Sequence, residues 1–148
     1  MKLNLGAGST PEAGWHNVDL VQLPGIDQVH DLNVVPWPWS DRSAEEIKAV
    51  DVFEHVDDPL AFMSECWRVL RPGCEVYLHT SYLHEQGSFT DPTHKRFCTL
   101  ETFDYWVPGT YLNQRYGPAY ARGRHFDKIK LWLDGNPGYL NVTLRKIG

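Results

Sequence analysis

Apolar positions recur at two different periods along the 148-residue chain, and the change of period divides it into elements. Short extended runs come first. Lys2 to Leu5 reads as a strand, His16 to Leu20 as a second, Asp27 to His30 as a weak third and Ile47 to Val50 as a buried fourth. Leu32 to Ser40 contains Pro36-Trp37-Pro38-Trp39, and prolines two apart remove ladder and helix donors, so this stretch reads as loop. Helical spacing begins at Asp58, an N-cap followed by Pro59 at the first helical position and by Leu60, Met63, Trp67 and Leu70, with Arg71-Pro72-Gly73 as the stop. Glu75 to Thr80 alternates as a fifth strand. Lys128 to Leu133 and Leu140 to Lys146 flank Asp134-Gly135-Asn136-Pro137-Gly138 and read as an antiparallel pair. Strands separated by crossovers and closed by a hairpin predict an α/β sheet, mostly parallel with one antiparallel member.

Composition sets the class. A chain of this length with 42% hydrophobic and 13% aromatic residues is expected to form one packed domain over residues 1–148. No apolar stretch reaches membrane-spanning length, and Met1-Lys2-Leu3 enters a strand pattern without a signal-peptide core, which points to a cytoplasmic protein without a membrane partner. Cys66, Cys74 and Cys98 are odd in number and lack C-x-x-C spacing, so they read as reduced core thiols and no metal site is expected. A net charge of -5 disfavours stable nucleic-acid binding. One segment runs against that balance. Arg115, Arg122, Arg124, Lys128 and Lys130 are interleaved with Tyr111, Tyr116 and Tyr120, a pattern that suits either a solvated loop covering the core or a flap contacting an anionic or sugar-like substrate.

The chemistry begins at Leu3-Asn4-Leu5-Gly6-Ala7-Gly8, where an apolar run breaks into a Gly-x-Gly turn. Gly6 and Gly8 allow positive φ and leave no Cβ, so a ligand can lie almost on the backbone. Asp19 ends the next apolar run, where an acid suits a ribose diol. A dinucleotide would further require a third glycine and a long helix whose N-terminus holds the pyrophosphate. Here Ser9-Thr10-Pro11-Glu12-Ala13-Gly14-Trp15 leaves room for one helical turn at most. S-adenosylmethionine carries a ribose but no phosphate, and its cationic sulfonium calls for acids and backbone contacts, so it fits better.

The succession LNLGAG, NVDL, HDLNVVPWPW and DVFEHVDDPLAFMSECWRVLRPG resembles the small S-adenosylmethionine-dependent methyltransferases of the Rossmann-like class, and DPTHKRFCTLETFDYW is similar to a segment of their compact bacterial and phage members. The resemblance covers residues 3 to about 106, and the final hairpin more loosely. It implies a Rossmann-like methyltransferase sheet with a minimal helix after the first strand. It also implies that Asn4, Gly6, Ala7 and Gly8 hold the amino-acid part of the cofactor, that Asp19 with Leu20 takes the ribose, that Asp31 with the Leu32 backbone reads the adenine edge, and that Val50, Asp51 and Val52 line the methyl-transfer face. Cys74 departs from the pattern, standing where a second glycine often follows the proline.

Methyl transfer is an in-line displacement at a carbon already activated by the sulfonium, so a base is needed only for a hydroxyl or protonated-amine acceptor. His94, with Asp91 three residues before it to orient the ring, is the first candidate, and His55, Asp51, His79 and His84 compete with it. Residues 82–126 read as a substrate-side insertion, with His84 to His94, Arg96 and the basic tyrosine-containing segment facing a small-molecule or saccharide acceptor. The alternative reading is a non-catalytic nucleoside-binding or assembly module that retains the methyltransferase fold.

Overall fold

The computed structural model describes residues 1–135 and 138–148, so Asn136 and Pro137 of the expected turn lie outside the described residues. Seven strands form one sheet: β1 (Lys2–Leu5), β2 (His16–Asp19), β3 (Gln28–Val29), β4 (Ala44–Val50), β5 (Leu70–Ser81), β6 (Phe126–Gly135) and β7 (Gly138–Lys146). Their order is β3-β2-β1-β4-β5-β7-β6. The pairings from β3 to β5 are all parallel, and β7 runs antiparallel to both β5 and β6. One reversed strand is what the alternating pattern predicts.

The sheet is built on buried alternation. Leu3, Leu5, Ile47, Val76, Leu78, Val142 and Leu144 are all completely buried, and the helix α1 (Pro59–Val69) joins them in the same core. Its cap is the predicted one, with Asp58 Oδ1 accepting the backbone N–H groups of Leu60 and Ala61 at 2.8 and 3.1 Å. The buried face differs from the expected stripe. Phe62, Met63, Cys66 and Val69 face inward, whereas Leu60 and Trp67 are half-buried at its flank. The helix also ends earlier than expected, because Leu70 turns extended and pairs with Ala44. Arg71-Pro72-Gly73 therefore lies inside β5, absorbed by a register shift between Ala44 and Glu46.

The loop before β4 is fixed by polar groups of α1. Trp37 donates its backbone N–H to Glu65 Oε2 at 2.6 Å, and Arg68 bridges Glu65, Asp41 and the carbonyls of Trp37 and Trp39. Glu65 and Asp41 hold the Arg68 guanidinium firmly charged. The Pro-Trp-Pro-Trp loop is thus tied to α1, with Trp37 edge-on to Phe62 at 5.4 Å.

After β5 come a one-turn helix α2 (Gly87–Thr90), a 3₁₀ turn at Asp104–Trp106, and α3 (Tyr111–Tyr120). The loop expected across the basic tyrosine segment is helical over α3, capped by Thr110, whose hydroxyl accepts from Asn113 N. Gly117 and Pro118 hide this helix in the sequence by lowering its propensity. Tertiary packing overrides them, since Tyr116 and Tyr120 both pack against Tyr105.

Candidate functional site

The strand order reverses between β1 and β4, and in such sheets a crevice opens outside the carboxyl ends of the strands. A cavity of about 300 Å³ occupies that place. Gly6 follows β1, Asp19 and Leu20 close β2, His30 to Asn33 follow β3, and Asp51, Val52, His55 and Val56 follow β4; together they line it. Within this lining Asp19, Asp31 and Asp51 are acids, and lysine and arginine are absent. Such a wall suits a diol and a cation and opposes a pyrophosphate.

Gly6 has φ +65°, and a Cβ built there would lie 2.3 Å from Val52 Cγ2. The turn must therefore be glycine for the protein's own packing as well as for any ligand. Asp19 Oδ2 accepts the Gly8 N–H at 2.8 Å while Oδ1 accepts from Val21 N at 3.1 Å, so this acid holds both the glycine turn and its own loop. Among the described residues no helix stands between β1 and β2. Asp31 also caps a turn, accepting from Asn33 N at 2.9 Å, and Asn33 in turn accepts from Asp57 N at 2.7 Å.

Of the residues expected to bind cofactor, Gly6, Asp19, Leu20, Asp31, Leu32, Asp51 and Val52 are brought to this cavity, whereas Asn4, Ala7, Gly8 and Val50 stand outside its lining. The reasons are local. Asn4 sits opposite Asn17 in the β1–β2 register and donates its side-chain amide to Asn17 Oδ1 at 2.8 Å within the sheet. Ala7 is buried, with its N–H on Val18 O. Val50 is still paired to β5, opposite His79. His30, Asn33 and Val56 line the cavity without having been expected to, since only the fold brings the ends of β3 and β4 together.

A second cavity, of about 530 Å³, adjoins the first. Asp51 and His55 line both. Its other walls are Glu54, Ser81 at the end of β5, residues between Glu85 and His94, and Tyr139 at the start of β7. Asp51 occupies the junction with φ +53°, a left-handed backbone uncommon in a residue with a side chain, and such outliers concentrate at functional sites. Its carboxylate bonds His79 Nδ1 at 2.8 Å. That bond raises the His79 pKa from its ordinary value, against the opposing pull of burial.

All four expected catalytic residues, His94, Asp91, His55 and Asp51, line this second cavity. Thr93 links two of the groups by donating its hydroxyl to Asp91 Oδ1 at 2.6 Å and meeting His55 Nδ1 at 3.0 Å. Bonds from the Thr93 side chain and backbone hold the Asp91 carboxyl below the usual range, so it is the acceptor. The single Thr93 proton is thereby used, and His55 must carry its own proton on Nδ1. His94 Nδ1 faces the Ser88 carbonyl at 3.1 Å and donates to it, since a carbonyl oxygen can only accept. The two rings meet edge to face at 4.7 Å.

Other expectations for the insertion are corrected. Arg96 is absent from the lining of the second cavity: it stacks on Phe53 and donates to the carbonyls of Phe53 and Val56, clamping the turn that carries Glu54 and His55. His84 is exposed beside Tyr82 and lines neither cavity. The basic tyrosine segment lies elsewhere, with Tyr120 and Arg122 bordering a small cleft against Asp58, Leu60, Ala61 and Ser64 of the α1 start. His79 stacks on Tyr139 at 4.7 Å beside the cavity.

Comparison with known proteins agrees with this geometry. Residues 13–78 match the family model described as a methyltransferase domain. No curated protein sequence matches the chain. Among solved structures, the 1,6-didemethyltoxoflavin-N1-methyltransferase of Burkholderia thailandensis, with S-adenosylhomocysteine bound, is similar with a TM-score of 0.65 at 17% identity, covering 99% of this chain and 71% of that one. An S-adenosylmethionine-dependent methyltransferase of Thermotoga maritima gives 0.67 at 15% identity, covering 98% and 81%. The [4+2]-cyclase SpnF gives 0.67 at 15%, covering 99% and 75%. The strand order and these structures together give the chain the fold of the Rossmann-like S-adenosylmethionine-dependent methyltransferases, and the methyltransferase-domain match covers residues 13–78 of it. Among the described residues no helix is long and apolar enough to cross a membrane.

Proposed function

We propose that the protein transfers a methyl group from S-adenosylmethionine to a hydroxyl of a small-molecule or saccharide acceptor. The observation that carries this reading is the meeting of the two cavities at Asp51 and His55, which puts a cofactor-sized space and an acceptor-sized space end to end. In this reading Asp19 takes the ribose hydroxyls, Asp31 and the Leu32 backbone take the adenine edge, and the Gly6 turn with Val52 holds the amino-acid part. Asp51 stands beside the sulfonium and the reacting methyl group. The acceptor enters between Glu54, His55, Glu85 and His94, whose polar groups orient its hydroxyl. Alignment and exclusion of water then supply much of the rate, because the donor is already activated.

The [4+2]-cyclase among the similar structures marks the competing possibility, a fold of this class put to another use. Thermal shifts with S-adenosylhomocysteine, NAD and a UDP-sugar separate the ligand classes, since a native-state ligand raises stability by mass action. We expect a shift with S-adenosylhomocysteine alone. Screening hydroxylated acceptors with methyl-labelled cofactor then tests the reaction, and label transfer to none of them, despite tight cofactor binding, would favour a non-catalytic nucleoside-binding or assembly module.

A further inference from the structure

Glu54, His55 and His94 all line the second cavity, and one ligand atom of each, a carboxylate oxygen or a ring nitrogen, lies within 4.8 Å of the other two. Ligands at about 2.1 Å from one metal ion are separated by roughly 3 to 4.2 Å, so a shift below an ångström would close the set.

Three further observations point to a ligand. First, both rings carry their proton on Nδ1, toward Thr93 and Ser88, which leaves Nε2 as the lone-pair nitrogen of each. A ring whose far nitrogen is anchored to a hydroxyl or carbonyl is the usual arrangement around a bound metal. Second, Glu54 is 1% exposed and belongs to none of the ion pairs among the described residues. Its two oxygens accept from Thr80 Oγ1 at 2.8 Å and Ser81 N at 2.9 Å, which orients the carboxylate and still leaves a lone pair on each. A buried carboxylate calls for a cation. Third, Asp91 Oδ2 stands 3.8 Å from His94 Nε2, a further negative charge beside the set.

We propose that Glu54, His55 and His94 bind a divalent transition-metal ion at the floor of the acceptor cavity. Two imidazoles and a carboxylate suit Zn²⁺, Co²⁺, Mn²⁺ or Fe²⁺ better than Ca²⁺, which prefers an all-oxygen shell. Its open positions face the cavity and take oxygen donors of the acceptor. The role given to the ion rests on the methyl-transfer reading; its binding does not. In that role a coordinated acceptor hydroxyl releases its proton to water, the oxygen forms a bond to the methyl carbon, and the carbon–sulfur bond breaks with its electron pair returning to sulfur. The products are the methyl ether, S-adenosylhomocysteine and one proton. Neither histidine is then the general base; both are ligands.

The test is titration of the chelator-stripped protein with Co²⁺, read by its visible absorption and by calorimetry, alongside a separate S-adenosylhomocysteine titration without metal. We expect saturable one-to-one Co²⁺ binding, displaced by Zn²⁺. His94→Ala should weaken it at least 100-fold, and Thr93→Val, at an exposed loop position, by about 10- to 100-fold through loss of the His55 anchor. Circular dichroism and the cofactor titration establish that each variant is folded. Absence of saturable binding in the folded wild type, or equal binding in wild type, His94→Ala and Glu54→Gln, would overturn the proposal, and an unchanged cofactor affinity in the same samples would leave the methyl-transfer reading standing.

Discussion

Asp51 and His79 are bonded twice across the β4–β5 pair: the Asp51 carboxylate meets His79 Nδ1 at 2.8 Å, and the Asp51 backbone N–H donates to the His79 carbonyl at 2.9 Å. The pair links the strained junction between the two cavities to the centre of the sheet. It also has a consequence for pH. Asp51 raises the His79 pKa above its unfolded value of about 6.5, with Asp134 and Glu54 adding to the pull and Tyr139 stacked on the ring. A raised folded-state value means that the stabilisation is fully present below about pH 6.5 and is lost as pH climbs through the raised value. In urea unfolding from pH 5.5 to 9, the advantage of wild type over Asp51→Asn should shrink as pH rises, and the His79 ring should titrate lower in the variant by NMR. Equal His79 titration in both proteins would contradict the assignment.

Asp19 is expected to serve the cofactor and the glycine turn at once. Asp19→Ala should weaken S-adenosylhomocysteine binding by about 1.5 to 3 kcal/mol, the range for hydrogen bonds to a charged group. Asp19→Asn separates the two duties, because one amide oxygen can still accept the Gly8 or Val21 N–H while the charge is gone. Calorimetry on both variants, with urea unfolding in parallel, provides the check; unchanged affinity in Asp19→Ala would remove this residue from the cofactor site.

Gly6 and Gly8 should respond differently to a side chain, although both have positive φ. A Cβ at Gly8 meets open space, so Gly8→Ala carries backbone strain alone, about 1 to 2 kcal/mol. Gly6→Ala adds the collision with Val52 and should cost about 1 to 3 kcal/mol more, with loss of cofactor binding. Adding Val52→Ala to Gly6→Ala should restore part of the stability. Equal melting temperatures for the Gly6 and Gly8 variants would show that the turn relaxes around either.

Much of the fold is determined locally and was legible in the residues. β1 keeps its expected bounds, α1 keeps its Asp58 cap and Pro59 start, and the Pro-Trp-Pro-Trp segment is a loop because its prolines lack donors. The long order of motifs from LNLGAG to RVLRPG pointed to the methyltransferase class. Elements whose stability comes from distant partners were less legible: α3 forms despite Gly117 and Pro118 because its tyrosines pack on Tyr105, and β5 begins at Leu70 because Ala44 is there to pair with it.

The site divides in the same way. The sequence by itself determined a Gly-x-Gly turn, an acid at the end of the second strand and a histidine beside an aspartate, since each is a short-range pattern. Only the tertiary structure decided which of these share a space. It committed Asn4 to Asn17 within the sheet, turned Arg96 into a clamp on the 53–57 turn, and brought Glu54 and His55 beside His94. The physical reason is that side-chain direction and burial depend on strand register and loop closure, and residues forty positions apart carry no mutual signal until β4 and β5 lie side by side.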